Sequence, residues 1–498
     1  MLRFPRSSVS RLAWAAWSVL SWHGTAWAGL QFQFDYRYDS RGFFNAPERR
    51  EALETAGRMV NRYVDSLEAI IPSPPTNTWS SFFTPPDNSS SIILSNLEVP
   101  ADTMQIFVGG ADIDGRLAQA IDTAPVGFGS PEWKAIVSYR GEPGAALRPA
   151  TDFGPMGGTI TFNDDPSEFQ WHFSDSTTGL ESKEFDFITV AMHEILHLLG
   201  VGISVSWNDQ VNDVRQFTGP AARLVGSPTN PNLELDATEA HWKSGTKSTW
   251  NGKVQEALLA PGIFPGRRAF VTALDRAVLR DLGWEDALPG DANRDRAFDS
   301  GDLLAVFQGG RYETERLAAW SEGDWDDNAM FDSSDLIAAL QTGTYELPPT
   351  AVASADTDFT TQLSDPSGPL EVAYDPVSGK VSVHTNGDKL TALQFTSTSR
   401  QLRPLLETAD GPFDLRREDQ WFHMDVHGFS DQDLGALFPR DALLLDLQSD
   451  ITVSGAWLGG GAIEDVAWRV VPEPSALGLA MLGTLLLPAV RRPRGPRG

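Results

Sequence analysis

Residues 185–202 read FDFITVAMHEILHLLGVG, and this stretch contains His193, Glu194 and His197 in an HExxH pattern. Residues four positions apart lie on one face of an α-helix, so both imidazoles can reach one metal ion and Glu194 can reach water beside it. Most other positions are apolar, as a buried helix requires. The alternative is a core helix with two incidental histidines. The protein holds only eight histidines, and because two of them fall at metal spacing we favour a zinc site.

The composition indicates an acidic protein with several domains. A length of 498 residues suggests about three domains. The net charge of -28 argues against nucleic acid as a partner, although a solvated acidic surface explains the charge equally well. The absence of cysteine excludes disulfides and thiolate ligands.

The N-terminus predicts a secretory signal over residues 1–28. Three arginines within the first eleven residues precede an apolar run at 12–22, and Ala26-Trp27-Ala28 then offers a cleavage site. An uncleaved anchor is the alternative, but the run is short for a membrane span.

The C-terminus carries a second targeting pattern over residues 471–498. The sequence Pro472-Glu473-Pro474 precedes an apolar run at 476–490, and a basic tail begins at Arg491. This order resembles the PEP-CTERM sorting signal of exported bacterial proteins, and a disordered tail is the alternative. The resemblance implies an exosortase-type processing partner, transient anchoring in the inner membrane, and a final location at the cell surface or in the extracellular matrix.

Residues 29–287 predict an α+β domain that leads into the zinc helix. Alternating or apolar runs predict strands at 31–38, 91–97, 104–109 and 156–162, and helical periodicity predicts a helix over 47–71. Asp186 is the predicted N-cap of the HExxH helix, and Gly200 is its predicted end. In zincins a mixed sheet precedes the HExxH helix, and the order of elements predicted here resembles that architecture. Gly157–Phe162 is the candidate for an exposed edge that accepts a peptide substrate, and an interior strand is the alternative.

The third zinc ligand does not follow from the local motif. Metzincins continue as HExxHxxGxxH, and this sequence has Gly200 in place but Ile203 where the third histidine would stand. Catalytic zinc takes three protein ligands and keeps one open position. His172 and His241 are the other histidines in this half of the sequence, and Asp236 and Glu239 are carboxylate alternatives.

Leishmanolysin-type proteases keep HExxHxxG and place the third histidine far downstream, often as His-Trp. This sequence resembles them at His193, Glu194, His197, Gly200 and His241-Trp242, and more loosely at residues 257–261 and 271–284. The resemblance implies an endopeptidase whose one zinc is held by His193, His197 and His241. It also implies that Glu194 is the general base toward zinc-activated water.

The family methionine beneath the zinc is replaced by Leu258 or Leu259. The alternative function is a catalytically weak zincin that serves as a surface adhesion or matrix-binding protein.

Residues 288–347 contain two matching acidic loops, at 291–302 and 324–335. Oxygen-bearing groups stand at the positions of an EF-hand-like calcium loop, with position 7 contributing its carbonyl. These ligands are Asp291, Asn293, Asp295, Ala297, Asp299 and Asp302 in the first loop, and Asp324, Asp326, Asn328, Met330, Asp332 and Asp335 in the second.

The pair of loops resembles a dockerin, which implies two structural calcium ions and a cohesin-like partner. The usual glycine at position 6 is replaced by Arg296 and Ala329. Two acidic helix-capping loops without metal are the alternative.

Residues 351–470 predict a C-terminal β-sandwich, from strands at 370–374, 380–385, 390–398 and 442–446. His423 and His427 are interpreted as structural or surface residues. The sequence therefore predicts a multidomain protein. It combines a metzincin-like α+β catalytic domain, a small α-helical dockerin/EF-hand-like pair and a β-sandwich, with protein or peptide as substrate and the membrane contacted only by the C-terminal segment.

Overall fold

The computed structural model describes residues 29–346, 368–403 and 414–471. The predicted secretory signal and nearly all of the predicted sorting signal lie outside these residues. Among the helices that are described, none combines the length and the apolar character needed to cross a membrane.

The first part of the protein forms nine strands and three helices before the end of the HExxH motif. The strands are β1 (Gln31–Asp35), β2 (Thr78–Phe83), β3 (Ile92–Ser95), β4 (Thr103–Ala111), β5 (Ala118–Asp122), β6 (Val126–Phe128), β7 (Gly157–Asn163), β8 (Gln170–His172) and β9 (Glu184–Asp186), and the helices are α1 (Pro47–Val60), α2 (Pro131–Tyr139) and α3 (Phe187–Leu198).

The segment after the motif is mostly irregular. It contains α4 (Val205–Asn208), α5 (Pro220–Val225), the hairpin of β10 (Lys247–Trp250) and β11 (Lys253–Glu256), and α6 (Ala273–Asp281).

A four-stranded sheet with the order β1-β4-β7-β5 supports the HExxH helix. β1, β4 and β7 run parallel, and β5 closes the sheet antiparallel to β7. α1 and α3 pack against each other, and α3 also contacts β5 and β7. The predicted helix over 47–71 is too long, because Asn61 is already extended and its side-chain amide donates to the carbonyl of Leu30.

The position of β7 corrects one prediction. The Gly157–Phe162 stretch lies inside the sheet between β4 and β5, and every residue of β7 is buried. It therefore cannot accept an added strand. The free edge beside α3 is β5, whose sequence AQAID carries little strand-forming character and does not predict a strand.

The acidic loops are each followed by a short helix, α7 (Ser300–Gln308) and α8 (Ser333–Gln341). These helices share a hydrophobic cluster with residues on both sides of the predicted module boundaries. Val64 contributes to this cluster from the N-terminal part, and Ala392 and Phe422 contribute from the C-terminal part.

The C-terminal part consists of two four-stranded sheets around a shared core. Its elements are β12 (Leu370–Tyr374), β13 (Val381–His384), β14 (Leu390–Ser397), β15 (Leu415–Arg416), β16 (Gln420–Phe429), β17 (Gln432–Asp433), α9 (Leu444–Asp450), β18 (Ile451–Trp457) and β19 (Val466–Val470). The sheet orders are β17-β13-β12-β19 and β15-β16-β14-β18. The strand predicted at 442–446 is wrong, because this segment leads into α9.

Candidate metal centre

The HExxH helix α3 is buried throughout and fixed at its start. The Asp186 carboxylate caps the helix by accepting from the Thr189 backbone N–H at 2.9 Å. The same carboxylate pairs with the guanidinium of Arg268 through contacts of 2.6 and 3.0 Å, and both side groups are almost fully buried. The helix that carries the motif is therefore held rigidly from its first turn.

Three imidazoles meet at the C-terminal half of α3. His197 Nε2 lies 3.1 Å from His193 Nε2 and 3.1 Å from His241 Nε2. The irregular segment after α5 delivers His241, which lies far from the motif in sequence. The structure thus brings together the three residues that the sequence grouped as zinc ligands.

The contacts of Nδ1 in two of the rings indicate that Nε2 of His193 and Nε2 of His197 are both acceptors. His193 Nδ1 lies 2.7 Å from the carbonyl of Leu258, and His197 Nδ1 lies 2.8 Å from the carbonyl of Val201. A neutral imidazole that donates through Nδ1 carries an unprotonated Nε2. Lone pairs therefore face each other across the site, an arrangement that is unfavourable without a cation between them.

This arrangement fits zinc. Tetrahedral Zn–N bonds of about 2.0–2.1 Å place ligand nitrogens roughly 3.3 Å apart, close to the observed separations. Burial, together with the neighbouring imidazole, lowers the pKa of His193 to about 4 and that of His197 to about 3. Burial and His197 likewise lower the pKa of His241 to about 4. All three rings are neutral at pH 7, which is the form that binds metal.

Glu194 directly follows His193 in α3 and is 5% exposed. Burial raises the pKa of its carboxyl group to about 8, and a hydrogen bond from the Ala120 backbone N–H opposes the rise. A cation at the imidazoles favours the ionised carboxylate, so metal binding would make Glu194 a base. Its contact with Ala120 also places it against the free edge of β5.

Asp275 organises the floor of the site and was missed by the sequence reasoning. It is fully buried in α6, and its carboxylate accepts from the backbone N–H groups of Leu258 and Leu259 at 2.8 and 3.2 Å. It also accepts from the indole N–H of Trp242 at 3.2 Å. The Asp275 carboxylate therefore fixes the turn at Leu258, whose carbonyl contacts His193. It also fixes Trp242, which directly follows His241. The only signal in the sequence is the capping pattern Thr272–Asp275.

The alternative third ligands lie elsewhere. His172 Nε2 is 2.8 Å from the carbonyl of Ser176, away from the cluster. Glu239 pairs with Arg215 at the surface. Asp236 lies behind His241, with its carboxylate 3.4 Å from Nδ1, where it can orient the ring rather than replace it.

The acidic loops form a second candidate metal centre, and the second loop is the better defined. The carboxylates of Asp324, Asp326 and Asp335 come within 4.8 Å of one another. Asp335 accepts from the backbone N–H groups of Trp325 and Asp326, which closes the loop onto the start of α8. Burial and the neighbouring carboxylates Asp326 and Asp324 raise the pKa of Asp335 to about 10, and a bound cation would relieve that repulsion.

The first loop repeats the same hydrogen bonds. Asp302 accepts from Ala292 and Asn293, as Asp335 does from the matching residues, and Asn293 stands where the second loop has Asp326. Arg296 and Ala329 adopt left-handed φ values of 71° and 68°. The loops therefore reach the tight turn at position 6 without the usual glycine.

The remaining predicted calcium ligands lie in the same two loops. Asp295, Asn328, Asp299 and Asp332 each accept a hydrogen bond from a backbone N–H two residues further on, at 2.6–3.0 Å. Ala297 and Met330 occupy position 7 in each loop.

Comparisons of the sequence with protein-family models, curated proteins and solved structures found no match. The zincin, leishmanolysin-type, dockerin and PEP-CTERM resemblances therefore stay predictions.

Proposed function

We propose that this protein is an exported zinc-dependent endopeptidase. One observation carries the proposal: the Nε2 atoms of three imidazoles meet beside a buried carboxylate, and in two of these rings Nδ1 faces a backbone carbonyl, which leaves Nε2 unprotonated. Three nitrogen ligands with a neighbouring carboxylate suit a catalytic zinc site, since structural zinc sites usually close with a fourth protein ligand. The proposed ligands are His193, His197 and His241.

A zinc ion held by His193, His197 and His241 would supply the Lewis acid for activating water and polarising the peptide carbonyl. Glu194 accepts the proton of the attacking water and returns it to the leaving amine. The carbonyls of Leu258 and Val201 keep His193 and His197 in the tautomer that leaves Nε2 free. Asp236 orients His241 from behind.

The proposed substrate is an extended polypeptide that adds to β5 as a further strand. Backbone bonds at both ends of the strand, from Asn163 to Leu117 and from Thr123 to Gly157, fix which residues face β7. By alternation, the backbone groups of Ala118, Ala120 and Asp122 face the open edge. Ala120 already reaches Glu194, so a peptide on this edge passes the proposed base.

The accessory parts of the protein have proposed roles of their own. Two structural calcium ions would occupy the loops of residues 291–302 and 324–335 and tie the modules together. Export would use the N-terminal signal, and an exosortase-type enzyme would process the C-terminal segment. A cohesin-like partner for the acidic loops remains a proposal from resemblance.

The test of the catalytic role is Glu194→Gln in the full-length protein, assayed with casein and analysed for zinc. The amide keeps the shape of the glutamate but is unable to accept the proton, so cleavage should fall roughly 10²- to 10⁴-fold while the zinc content stays at the wild-type value. Unchanged cleavage by Glu194→Gln would remove Glu194 from the mechanism.

A second candidate function, a surface-binding protein with little catalysis, is favoured by one observation. Phe82, Ile93, Val126 and Phe128 lie on one face of the β3-β2-β6 sheet, and Phe82 and Ile93 are 85% and 66% exposed. Exposed apolar faces of this kind mark protein contacts. Wild-type protein that binds zinc yet cleaves neither casein nor a random peptide library would favour this candidate.

A further inference from the structure

A cavity of about 460 Å³ lies at the edge of the main sheet, on the side away from β5. Its walls come from β1, from α1 and from the first acidic loop, and they include Phe32, Phe34, Tyr36, Arg58, Asn61 and Arg294. The volume is in the range of ligand-binding pockets. β1 and β5 are opposite edges of the sheet, so this cavity is separate from the proposed catalytic site.

Arg294 is the unusual residue of this cavity. It is 4% exposed, and its Nη1 donates to the carbonyl of Leu30 at 2.6 Å and to the side-chain oxygen of Asn61 at 2.5 Å. Its Nε is buried without a hydrogen-bond partner, and no carboxylate forms an ion pair with it among the described residues. A buried charge normally requires a counter-charge, and Asp291 of the same loop acts on this guanidinium electrostatically without forming an ion pair with it, so the guanidinium is prepared to bind an anion directly.

The other charged groups of the cavity do not fill this role. Arg58 lies 3.4 Å from the carboxylate of Glu322, which already offsets its charge. Glu54 lies at the exposed rim. The guanidinium of Arg294 is a cation at neutral pH.

β1 contributes unpaired backbone groups to the same cavity. The backbone N–H of Gln31 donates to the carbonyl of Asp102 next to β4, so Gln31 faces the neighbouring strand. In a parallel ladder alternate residues bond to the same side, so the backbone groups of Phe32 and Phe34 face the cavity. Since β4 is the only described strand paired with β1, this edge can accept a further strand.

We propose that this cavity binds an extended peptide that pairs with the outer edge of β1 and presents a carboxylate to Arg294. The strand supplies main-chain hydrogen bonds, the aromatic walls receive apolar groups, and the guanidinium supplies the charge-assisted bond. The carboxylate comes either from the C-terminus of the peptide or from an acidic residue within it, since both present the same oxygens.

The test is fluorescence anisotropy with labelled pentapeptides on the full-length protein bearing Glu194→Gln, which prevents cleavage during the measurement. The three probes are Val-Thr-Val-Thr-Val with a free C-terminus, the same peptide with an amidated C-terminus, and amidated Val-Thr-Val-Thr-Glu. At least one of the two carboxylate probes should bind ten or more times tighter than the uncharged amide. Which of them does so identifies the source of the carboxylate. Equal binding of all three probes, or no saturable binding, would overturn the proposal.

Arg294→Gln should remove the preference for the carboxylate probes, whereas Arg296→Gln should change their affinity less than twofold. Arg296 belongs to the same loop, but it is exposed and does not line the cavity. A preference that survives Arg294→Gln in a folded protein would contradict the proposal. Should Arg294→Gln not fold, photo-crosslinking of the tight probe decides: crosslinks to residues 31–36 support the proposal, and crosslinks confined to other segments overturn it.

Discussion

Arg268 and Asp186 form a buried ion pair at the first turn of α3. Arg268→Ala leaves the Asp186 carboxylate buried without its partner, so we expect a loss of about 3–5 kcal/mol in the free energy of unfolding. The matched control is Arg267→Ala, whose guanidinium is exposed and lies 3.6 Å from Glu256, with a loss below about 1 kcal/mol. Urea denaturation of both variants measures the difference. Equal losses would show that the buried pair does not anchor the helix.

A cluster of carboxyl groups lies outside the candidate metal centres and includes Glu142, Asp152 and Asp65. Burial and the adjacent Asp152 raise the pKa of Glu142 to about 8, and burial raises the pKa of Asp65 to about 7. A raised pKa means that the folded state holds the proton more tightly. The stabilisation from Glu142 is therefore complete below about pH 4.5 and is lost as the pH rises toward 8.

Glu142→Gln cannot ionise, so the variant should escape this loss. We expect a higher Tm than wild type at pH 8.5 and a similar Tm at pH 5, measured by differential scanning fluorimetry. A difference in Tm that is the same at both pH values would show that ionisation of Glu142 is not its cause.

For single residues, the local motif predicted that His193, Glu194 and His197 lie together. The resemblance to leishmanolysin-type proteases, rather than any local pattern, predicted that His241 joins them. Asp275 could not be predicted in the same way. Its role depends on its burial against Leu258, Leu259 and Trp242, which reach it from two other segments of the protein.

At the scale of single elements, β5 is the strand that the proposed function depends on. Ala118→Pro removes an N–H that faces the open edge and leaves the bonds to β7 in place, as proline on an edge strand allows. We expect kcat/KM for casein to fall at least about tenfold, the value of one lost hydrogen bond, with little change in Tm.

The comparison variant for β5 is Ile121→Pro, which removes an N–H that faces β7. This change should lower Tm because it breaks the ladder itself. Full activity in a folded Ala118→Pro variant would argue that substrate does not bind along β5.

The errors in the predicted elements have physical reasons. Residues 442–446 were predicted as a strand, but a short apolar run does not distinguish a strand from a helix. In the structure Leu443 and Leu445 are 68% and 78% exposed at the start of α9, so this run does not enter the core. β7 was correctly predicted as a strand, but its place inside the sheet depends on β5, which carries no clear strand pattern.

At the scale of the whole molecule, the acidic loops connect the N-terminal part to the C-terminal sheets. Asp327 in the second loop pairs with Arg62 at 3.0 Å and with Arg276 at 2.5 Å. On the other side, the hydroxyl of Ser333 donates to Gln394 at 2.5 Å. The hydrophobic cluster of α7 and α8 continues into both neighbours.

Calcium removal should therefore destabilise more than the loops. A site saturated at 1,000 times its Kd contributes about 4 kcal/mol, so EGTA should lower the Tm of the full-length protein by several degrees. Asp335→Asn should reduce bound calcium from two ions per molecule to one, whereas Asp375→Asn, in the turn after β12, should leave both. An unchanged Tm in EGTA would contradict a structural role for calcium.

The most direct measurement is the zinc content of the purified full-length protein, for wild type and for His241→Ala, beside casein cleavage by the same samples. The geometry of the three imidazoles predicts about one zinc per wild-type molecule together with cleavage. It predicts loss of both in His241→Ala, because two histidines cannot complete a tight catalytic site. Retention of zinc and of cleavage by His241→Ala, or a wild-type protein that binds no zinc, would contradict a zinc site formed by His193, His197 and His241.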